Sequence, residues 1–122
     1  MILDHISVAV SDFERAKKFY SEALAPLGIG IISEFDRWAG FGRDGKPEFW
    51  FGQADQSQRP MHIAFAAQSR EVVDQFFAAA IAAGGKDNGA PGVRTIYHPN
   101  YYGAFLIDPD GHNIEAVCHK PV

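Results

Sequence analysis

The sequence predicts an α+β protein built from two tandem βαβββ modules that form a cupped, partly open mixed sheet. The segment from His62 to Ala66 repeats the pattern of the segment from His5 to Ala9, and each copy reaches an aromatic pair at the same spacing. Each copy also ends on an Asp-Gly pair followed shortly by a glutamate, Glu48 in the first and Glu115 in the second. A repeat of this length is typical of a duplicated supersecondary unit.

The length of the chain bounds its domain organisation. A chain of 122 residues has the length of one domain, so two modules must share a core or an interface. Module 1 is predicted at about 1–52, a polar linker at 53–60, and module 2 at about 61–122.

In the first module, alternating apolar residues over 3–10 predict a strand with Ile6 and Val8 on one face. Ser11 and Glu14 form a capping box, which predicts a helix ending near residue 25. Three strands then complete the module: 29–35, 37–42, and one that begins at Glu48 after an Asp44-Gly45 hairpin turn.

The second module is predicted from the same signals. Apolar residues at helical spacing predict a helix over 69–83, which stops at Gly84-Gly85. A loop over 86–92 leads into strands at 93–97, 103–107 and 113–118, with the last two joined by a turn at 108–111.

Composition excludes several classes of function. The net charge of −4, without a basic stripe, argues against a nucleic-acid partner. The chain opens directly into the first repeat, and no apolar run approaches the roughly 20 residues that span a bilayer, which argues against a signal peptide or a membrane partner. The single cysteine, Cys118, fits a reducing compartment. We therefore expect a cytoplasmic protein.

Four ionisable side chains are predicted to share the face opposite the helices: His5, Glu48, His62 and Glu115. Buried carboxylates are costly unless they are paired or coordinated. A divalent cation would satisfy them, and two imidazoles with one or two carboxylates suit Zn, Ni, Fe, Mn or Co.

A simpler interpretation exists for each of these residues alone. A lone histidine on a strand is more often a hydrogen-bonded core residue, and a lone glutamate near a strand end is usually solvated. Recurrence at the same internal position favours the metal site for His5, His62 and Glu115. Glu48 follows Lys46 and Pro47, so it also fits an exposed strand start.

Aromatic and polar residues near the predicted site are candidates for substrate binding. They form either a substrate wall or the cover of a sheet edge, and they are Arg94, Tyr97, His98, Tyr101 and Tyr102. Trp50 faces the same way as Glu48 and either stacks on a flat substrate or belongs to the core. Asp108, Asp110 and His112 are assigned to a turn, and Cys118 to the packed face.

The doubled module, with His5, His62 and the segment from Phe105 to Glu115, resembles the vicinal oxygen chelate superfamily. That superfamily includes glyoxalase I, fosfomycin and bleomycin resistance proteins and extradiol dioxygenases. The resemblance implies the glyoxalase/bleomycin resistance/dioxygenase fold, metal ligation by His5, His62 and Glu115, and a small-molecule substrate. The fourth ligand of glyoxalase I falls on Glu48, and either Glu48 or Glu115 would act as the base.

Two departures argue against glutathione as the substrate. Ala9 and Gly52 occupy positions where glyoxalase I carries an arginine and an asparagine. The resemblance therefore implies a metal-dependent enzyme of lyase or isomerase type, nearest to lactoylglutathione lyase in its ligand set. The alternatives are a metal-free drug or small-ligand binder of the bleomycin resistance kind and an Fe(II) dioxygenase.

Sheets of this kind leave long edges, which proteins usually cover. We therefore expect a homodimer, in which the metal site lies either within one chain or between two.

Overall fold

The computed structural model of the protein describes residues 3–55 and 58–122. Over these residues the chain contains nine strands and two α-helices. The first half contributes β1 (Ile6–Val10), α1 (Phe13–Ala23), β2 (Gly30–Phe35), β3 (Trp38–Arg43) and β4 (Lys46–Gln53). The second half contributes β5 (His62–Ala66), α2 (Arg70–Ala82), β6 (Lys86–Asp87), β7 (Gly92–Val93), β8 (Tyr102–Ile107) and β9 (Asn113–Cys118).

Each half of the chain forms its own mixed sheet. The first sheet has the order β1-β4-β3-β2, and the second has the order β5-β9-β8-β6, with β7 also paired to β8. In the first sheet β1 is parallel to β4, and β4 is antiparallel to β3. In the second sheet β5 is parallel to β9, and β9 is antiparallel to β8. The predicted α+β fold is confirmed.

Each sheet has a packed face, which lies against a helix, and an open face on the other side. In the first sheet Val8 and Phe51 are buried on the packed face. In the second sheet Ile114 and Cys118 are buried in the same way. Helix α1 contacts β4, α2 contacts β8 and β9, and the two helices contact each other, so one core lies between the sheets.

Helix α1 begins one residue later than its capping box predicted. Its N-cap is Asp12, whose side chain accepts a hydrogen bond from the Arg15 amide at 3.1 Å. Ser11 instead donates to Asp110 from both its amide and its hydroxyl, at 2.9 and 2.6 Å. The predicted role of Ser11 was wrong because a residue distant in sequence binds its side chain. Helix α2 is capped by Ser69, as expected.

Two tight hairpins connect β2, β3 and β4. Asp44 and Gly45 both have positive φ, which confirms the predicted turn. Asp36 and Arg37 form a second two-residue turn, again with positive φ at both positions (49° and 62°). Neither residue is a glycine, so this turn is held in a costly backbone conformation.

One predicted strand is wrong. Val93 ends the two-residue strand β7, and residues 94–97 form a turn in which the Tyr97 amide donates to the Arg94 carbonyl at 3.0 Å. The predicted loop over 86–92 contains the short strand β6. The predicted linker at 53–60 begins inside β4, and its residues 56–57 lie outside the described part of the chain.

A buried hydrogen bond joins the two halves. The Tyr20 hydroxyl on α1 donates to Asp108, in the turn between β8 and β9. Asp108 also accepts from the amides of Asp110 and His112, at 2.9 and 2.8 Å. Burial, and next the nearby Asp108 carboxylate, raise the pKa of Tyr20, so the phenol stays a donor. The turn residues therefore have the structural role that the sequence assigned to them.

Neither of the helices described here has the length and apolar character needed to cross a bilayer.

Candidate functional site

His62, Glu115 and Tyr101 meet on the open face of the second sheet. Ala64 on β5 lies opposite Glu115 on β9, so His62 is one pleat step from Glu115 on the same face. The His62 Nε2 atom lies 2.7 Å from Glu115 Oε1, and the Tyr101 hydroxyl donates to Glu115 Oε2. The Glu115 side chain is 1% exposed, whereas that of His62 is 52% exposed. A buried carboxylate is thus held between an accessible imidazole and a phenol.

Tyr101 is fixed by its surroundings as a hydrogen-bond donor. Burial raises the pKa of its hydroxyl, and the hydrogen bond to Glu115 raises it further. Its ring packs against the rings of His98 and His119, whose Nε2 and Nδ1 atoms lie 2.8 Å apart. Tyr101 therefore positions one oxygen of Glu115.

Arg94 and Phe105 extend this site along the open face. Phe105 lies opposite Glu115 on β8, and the Arg94 guanidinium lies 5.4 Å from the centre of its ring. Two nitrogens of Arg94 donate to the carbonyls of Gly92 and Ala90, at 2.9 and 2.8 Å. Arg94 therefore both holds its own loop and lines the predicted substrate wall.

Tyr102 lies away from this site, contrary to the expectation from the sequence. It is on the packed face, where its hydroxyl donates to Asp74 of α2 at 2.6 Å. The Arg70 guanidinium lies 5.1 Å from the centre of its ring. Adjacent residues of a strand point to opposite faces, so Tyr101 and Tyr102 cannot both face one site from the start of β8.

His5 and Glu48 both come from the first module and are accessible to solvent. The His5 Nδ1 atom is 2.8 Å from Asp4 Oδ1, and the pKa of Asp4 is lowered first by this hydrogen bond and then by the charge of Lys46. An ionised carboxylate only accepts, so Nδ1 carries the proton and Nε2 of the neutral ring is left with its lone pair. The side chains of His5 and Glu48 are 55% and 39% exposed.

The strand register corrects the expected equivalence of Glu48 and Glu115. Ser7 in the first module corresponds to Ala64 in the second, and their cross-strand partners are Trp50 and Glu115. The position equivalent to Glu115 is therefore occupied by Trp50. Glu48 is the extra residue where β4 shifts register against β3, between the pairs Phe41–Phe49 and Gly42–Pro47, and it lines a cavity together with His5.

The four predicted ligands do not form one group within a single chain. In the described ranges, 3–55 and 58–122, no three histidine, cysteine, aspartate or glutamate side chains are placed to hold a metal ion. His5, Glu48 and His62 all line a cavity of about 330 Å³ between the modules, but Glu115 does not line it. Of the four predicted ligands, only His62 and Glu115 are in direct contact within the described part of one chain.

These residues nevertheless fit a divalent metal by their chemistry. Imidazole nitrogen and carboxylate oxygen are the usual ligands of Zn, Mn and Fe. His62 and Glu115 present such atoms 2.7 Å apart, and the Tyr101 hydrogen bond fixes the carboxylate from behind, as supporting groups do in metal sites. Asp4 holds Nδ1 of His5, so Nε2 is the ring nitrogen that would bind a metal.

Trp38 is a candidate ligand-binding residue that the sequence pattern did not indicate. It is on the open face of the first sheet and lines a shallow cavity of about 490 Å³ together with His5 and Trp50. Gly52, which lies opposite Trp38, could have indicated this position, because a glycine in a strand often marks a place where another group approaches the backbone closely.

Comparison with known proteins agrees with the fold. The model of the glyoxalase/bleomycin resistance protein/dioxygenase superfamily matches residues 2–116. The crystal structure of a glyoxalase/bleomycin resistance protein from Albidiferax ferrireducens T118 is 35% identical, with a TM-score of 0.84 over 97% of this chain and 99% of that one.

Two further similarities are more distant. A family enzyme from Burkholderia phytofirmans PsJN is 22% identical, with a TM-score of 0.74 over 96% of this chain and 98% of that one, which supports the fold. The uncharacterized protein YqjT of Bacillus subtilis (strain 168) is 27% identical over 95% of this chain and 98% of its own length.

Proposed function

Because the chain belongs to the glyoxalase/bleomycin resistance protein/dioxygenase superfamily, we propose that it is a metal-dependent enzyme that acts on a small, oxygen-chelating substrate as a homodimer. The observation that carries this proposal is the contact between His62 and Glu115. Glu115 is a fully buried carboxylate beside the accessible imidazole of His62. Burial of this charge would be costly in a surface that only packs against other residues, whereas a bound metal ion would compensate it.

In the proposed site His62 and Glu115 of one chain hold the metal together with the partner's His5. The metal would be Zn, Ni, Fe, Mn or Co, and when bound it would polarise a substrate oxygen. Tyr101 holds Glu115 in place. Arg94 and Trp50 lie where they would contact the substrate, one on each open face.

The edge strands support a dimer that completes this set. β1 and β5 are each at the end of a sheet and have one strand neighbour among the described residues, and on β1 the Ala9 amide donates to the Gln58 side chain at 2.6 Å. Each edge therefore lacks a second strand in the described part of the chain. His5 stands just before β1, and His62 begins β5. A two-fold axis that set β1 against the partner's β5 would cover both edges and bring the two histidines together twice.

Glu48 is proposed as the general base and not as a fourth ligand. Its carboxylate is half-exposed, 4.0 Å from the Lys46 ammonium, and it lies next to His5. In a proton-transfer reaction it would accept the proton from a carbon next to a carbonyl and return it to the neighbouring carbon. Lactoylglutathione lyase-like chemistry belongs to this type.

A dioxygenase is the second candidate, and the strand register favours it. With Trp50 at the position equivalent to Glu115, the protein would offer two histidines and one carboxylate. That three-ligand set is typical of Fe(II) oxygenases.

Metal analysis tests the proposal directly. Protein purified without chelators is expected to bind about one metal ion per chain after reconstitution, and metal removal is expected to abolish activity. Less than about 0.1 ion per chain after reconstitution would contradict the proposal and favour a metal-free binder. Bound iron with oxygen uptake would place the dioxygenase first.

Mixing two inactive variants tests whether the site is shared between chains. His5→Ala and His62→Ala homodimers are each expected to lose metal binding. After refolding together in equal amounts, half of the dimers are mixed and each mixed dimer has one intact site, so about one quarter of the wild-type metal content should return. If mixed dimers form by mass spectrometry but bind no metal, the site is not shared.

The two adjacent tyrosines give a matched test of the site. Tyr101→Phe removes the hydrogen bond to Glu115 and is expected to lower metal affinity about tenfold, measured by competition with a chelating dye. Tyr102→Phe removes a similar hydroxyl from the packed face and should leave metal affinity unchanged. Equal effects of the two variants would contradict the assignment.

A further inference from the structure

The open face of the first sheet presents two indole rings that lie against glycine backbone. A Cβ atom added to Gly52 would stand 2.3 Å from the Trp38 ring, and one added to Gly40 would stand 2.7 Å from the Trp50 ring. Both distances are far below ordinary contact, so each ring occupies the space that a side chain would fill. We call Trp38 and Trp50 the indole platform.

The platform is partly accessible, with Trp50 half-buried beside the more exposed Trp38. Trp38 is 38% exposed, and the neighbouring Phe35, whose ring meets Trp50 edge to face with centres 6.2 Å apart, is 60% exposed. Large aromatic surface that faces solvent in one patch usually marks an interaction site. The patch adjoins His5, which lines the same shallow cavity.

Covering glycines is one structural reason for such rings, because aromatic side chains shield strand glycines. That reason accounts for the ring faces turned to the backbone. It does not account for the exposure of Trp38 and of the neighbouring Phe35 beside a candidate metal ligand. Burial against the sheet also fixes both rings, so a flat ligand would lose little entropy from them on binding.

We propose that the indole platform binds the planar aromatic ring of a small substrate whose vicinal oxygens point toward His5. This inference deepens the proposed function and rests on it for the direction of the oxygens. A flat ring stacks on an indole face across its whole area, whereas a puckered ring of similar size touches it at fewer atoms.

The fluorescence of the protein reports on this site directly. The chain has two tryptophans, and both belong to the platform. The probes are mandelate and hexahydromandelate, which share a hydroxy-acid end. Mandelate has a planar ring, and hexahydromandelate has a puckered ring of similar size. We expect mandelate to quench the indole emission saturably and to bind about fivefold more tightly than hexahydromandelate, in the presence and absence of metal.

Variants locate the effect. Trp38→Leu and Trp50→Leu are each expected to weaken mandelate binding about fivefold, with the remaining tryptophan as reporter, and Trp→Phe at either position should restore part of it. Tyr102→Phe, on the packed face, is the control and should bind mandelate as the unaltered protein does. Circular dichroism checks that each variant is folded.

Several results would overturn the inference. Equal affinity for the two probes would exclude ring stacking. Unchanged mandelate binding in each of the single variants Trp38→Leu and Trp50→Leu would also exclude it. An emission change on dilution, with no response to mandelate, would assign the platform to contact between copies of the chain.

The two proposals fail separately. If the protein binds metal but binds the two probes equally, the proposed function stands and the indole platform is wrong. If it prefers mandelate but binds no metal, the indole platform stands and the metal-dependent reaction is wrong.

Discussion

Glu115→Gln is expected to lower the metal affinity of the protein at least about 100-fold. Glutamine keeps the shape of the side chain and can still accept the Tyr101 hydrogen bond, but it loses the charge that would hold the cation. Isothermal titration with Zn²⁺ or Mn²⁺ measures the change. The far-ultraviolet circular dichroism should remain that of the unaltered protein, which separates a lost ligand from a lost fold.

Glu48→Gln is the matched control for this experiment. Glu48 belongs to the first sheet and is proposed as a base, so its substitution should change metal affinity by less than about threefold while activity falls. If both substitutions abolish metal binding, Glu48 is a fourth ligand, as in glyoxalase I. If Glu115→Gln binds metal normally, the proposed site is wrong.

Asp108→Ala is expected to destabilise the protein by about 3–5 kcal/mol, measured by urea unfolding. The Asp108 side chain is buried and accepts hydrogen bonds from the Tyr20 hydroxyl and from the amides of Asp110 and His112. Alanine leaves these donors without an acceptor in a place that water does not reach. Because Tyr20 and Asp108 come from different halves, the substitution also weakens the contact between the modules.

Asp74→Ala provides the comparison, because Asp74 also accepts a tyrosine hydroxyl but at the protein surface. Its cost should stay below about 1 kcal/mol, since water replaces the lost partner. In a Tyr20→Phe background Asp108→Ala should cost at least about 1 kcal/mol less than in the unaltered protein. Equal costs of Asp108→Ala in both backgrounds would show that the Tyr20 hydrogen bond contributes nothing.

Local patterns predicted most of the fold. Period-two alternation located β1, and helical spacing located α2, in which Val73, Phe76 and Ala80 are buried. These signals work because they depend on neighbours within one element. The predictions failed where a distant residue decides the outcome. Ser11 binds Asp110 instead of capping α1.

The strand predicted at 93–97 failed because its backbone bonds to itself. The Arg94 carbonyl accepts hydrogen bonds from the amides of Tyr97 and His98, at 3.0 and 3.4 Å, which closes a turn. A local backbone hydrogen bond that replaces ladder hydrogen bonds leaves no trace in the alternation of apolar residues. The pattern of residues 93–97 therefore could not distinguish a strand from this turn.

The candidate site was only partly predictable. The repeat identified His62 and Glu115, which the structure brings into contact. It could not give the register of β1 against β4, which sets Trp50 and not Glu48 at the position of Glu115. Register depends on how strands pair in space, and β4 also carries an irregularity where it pairs with β3, next to Gly42.

The hairpin at Asp36 and Arg37 has a consequence for how this protein could be improved. Both residues hold a left-handed backbone, at roughly 1–3 kcal/mol each, in a turn where asparagine and glycine would fit without cost. Selection for heat resistance alone would replace them. The turn also sets the spacing between Phe35 and Trp38. A substitution that stabilises the turn would therefore also act on the proposed indole platform, so a gain in stability there would come with a change in ligand binding.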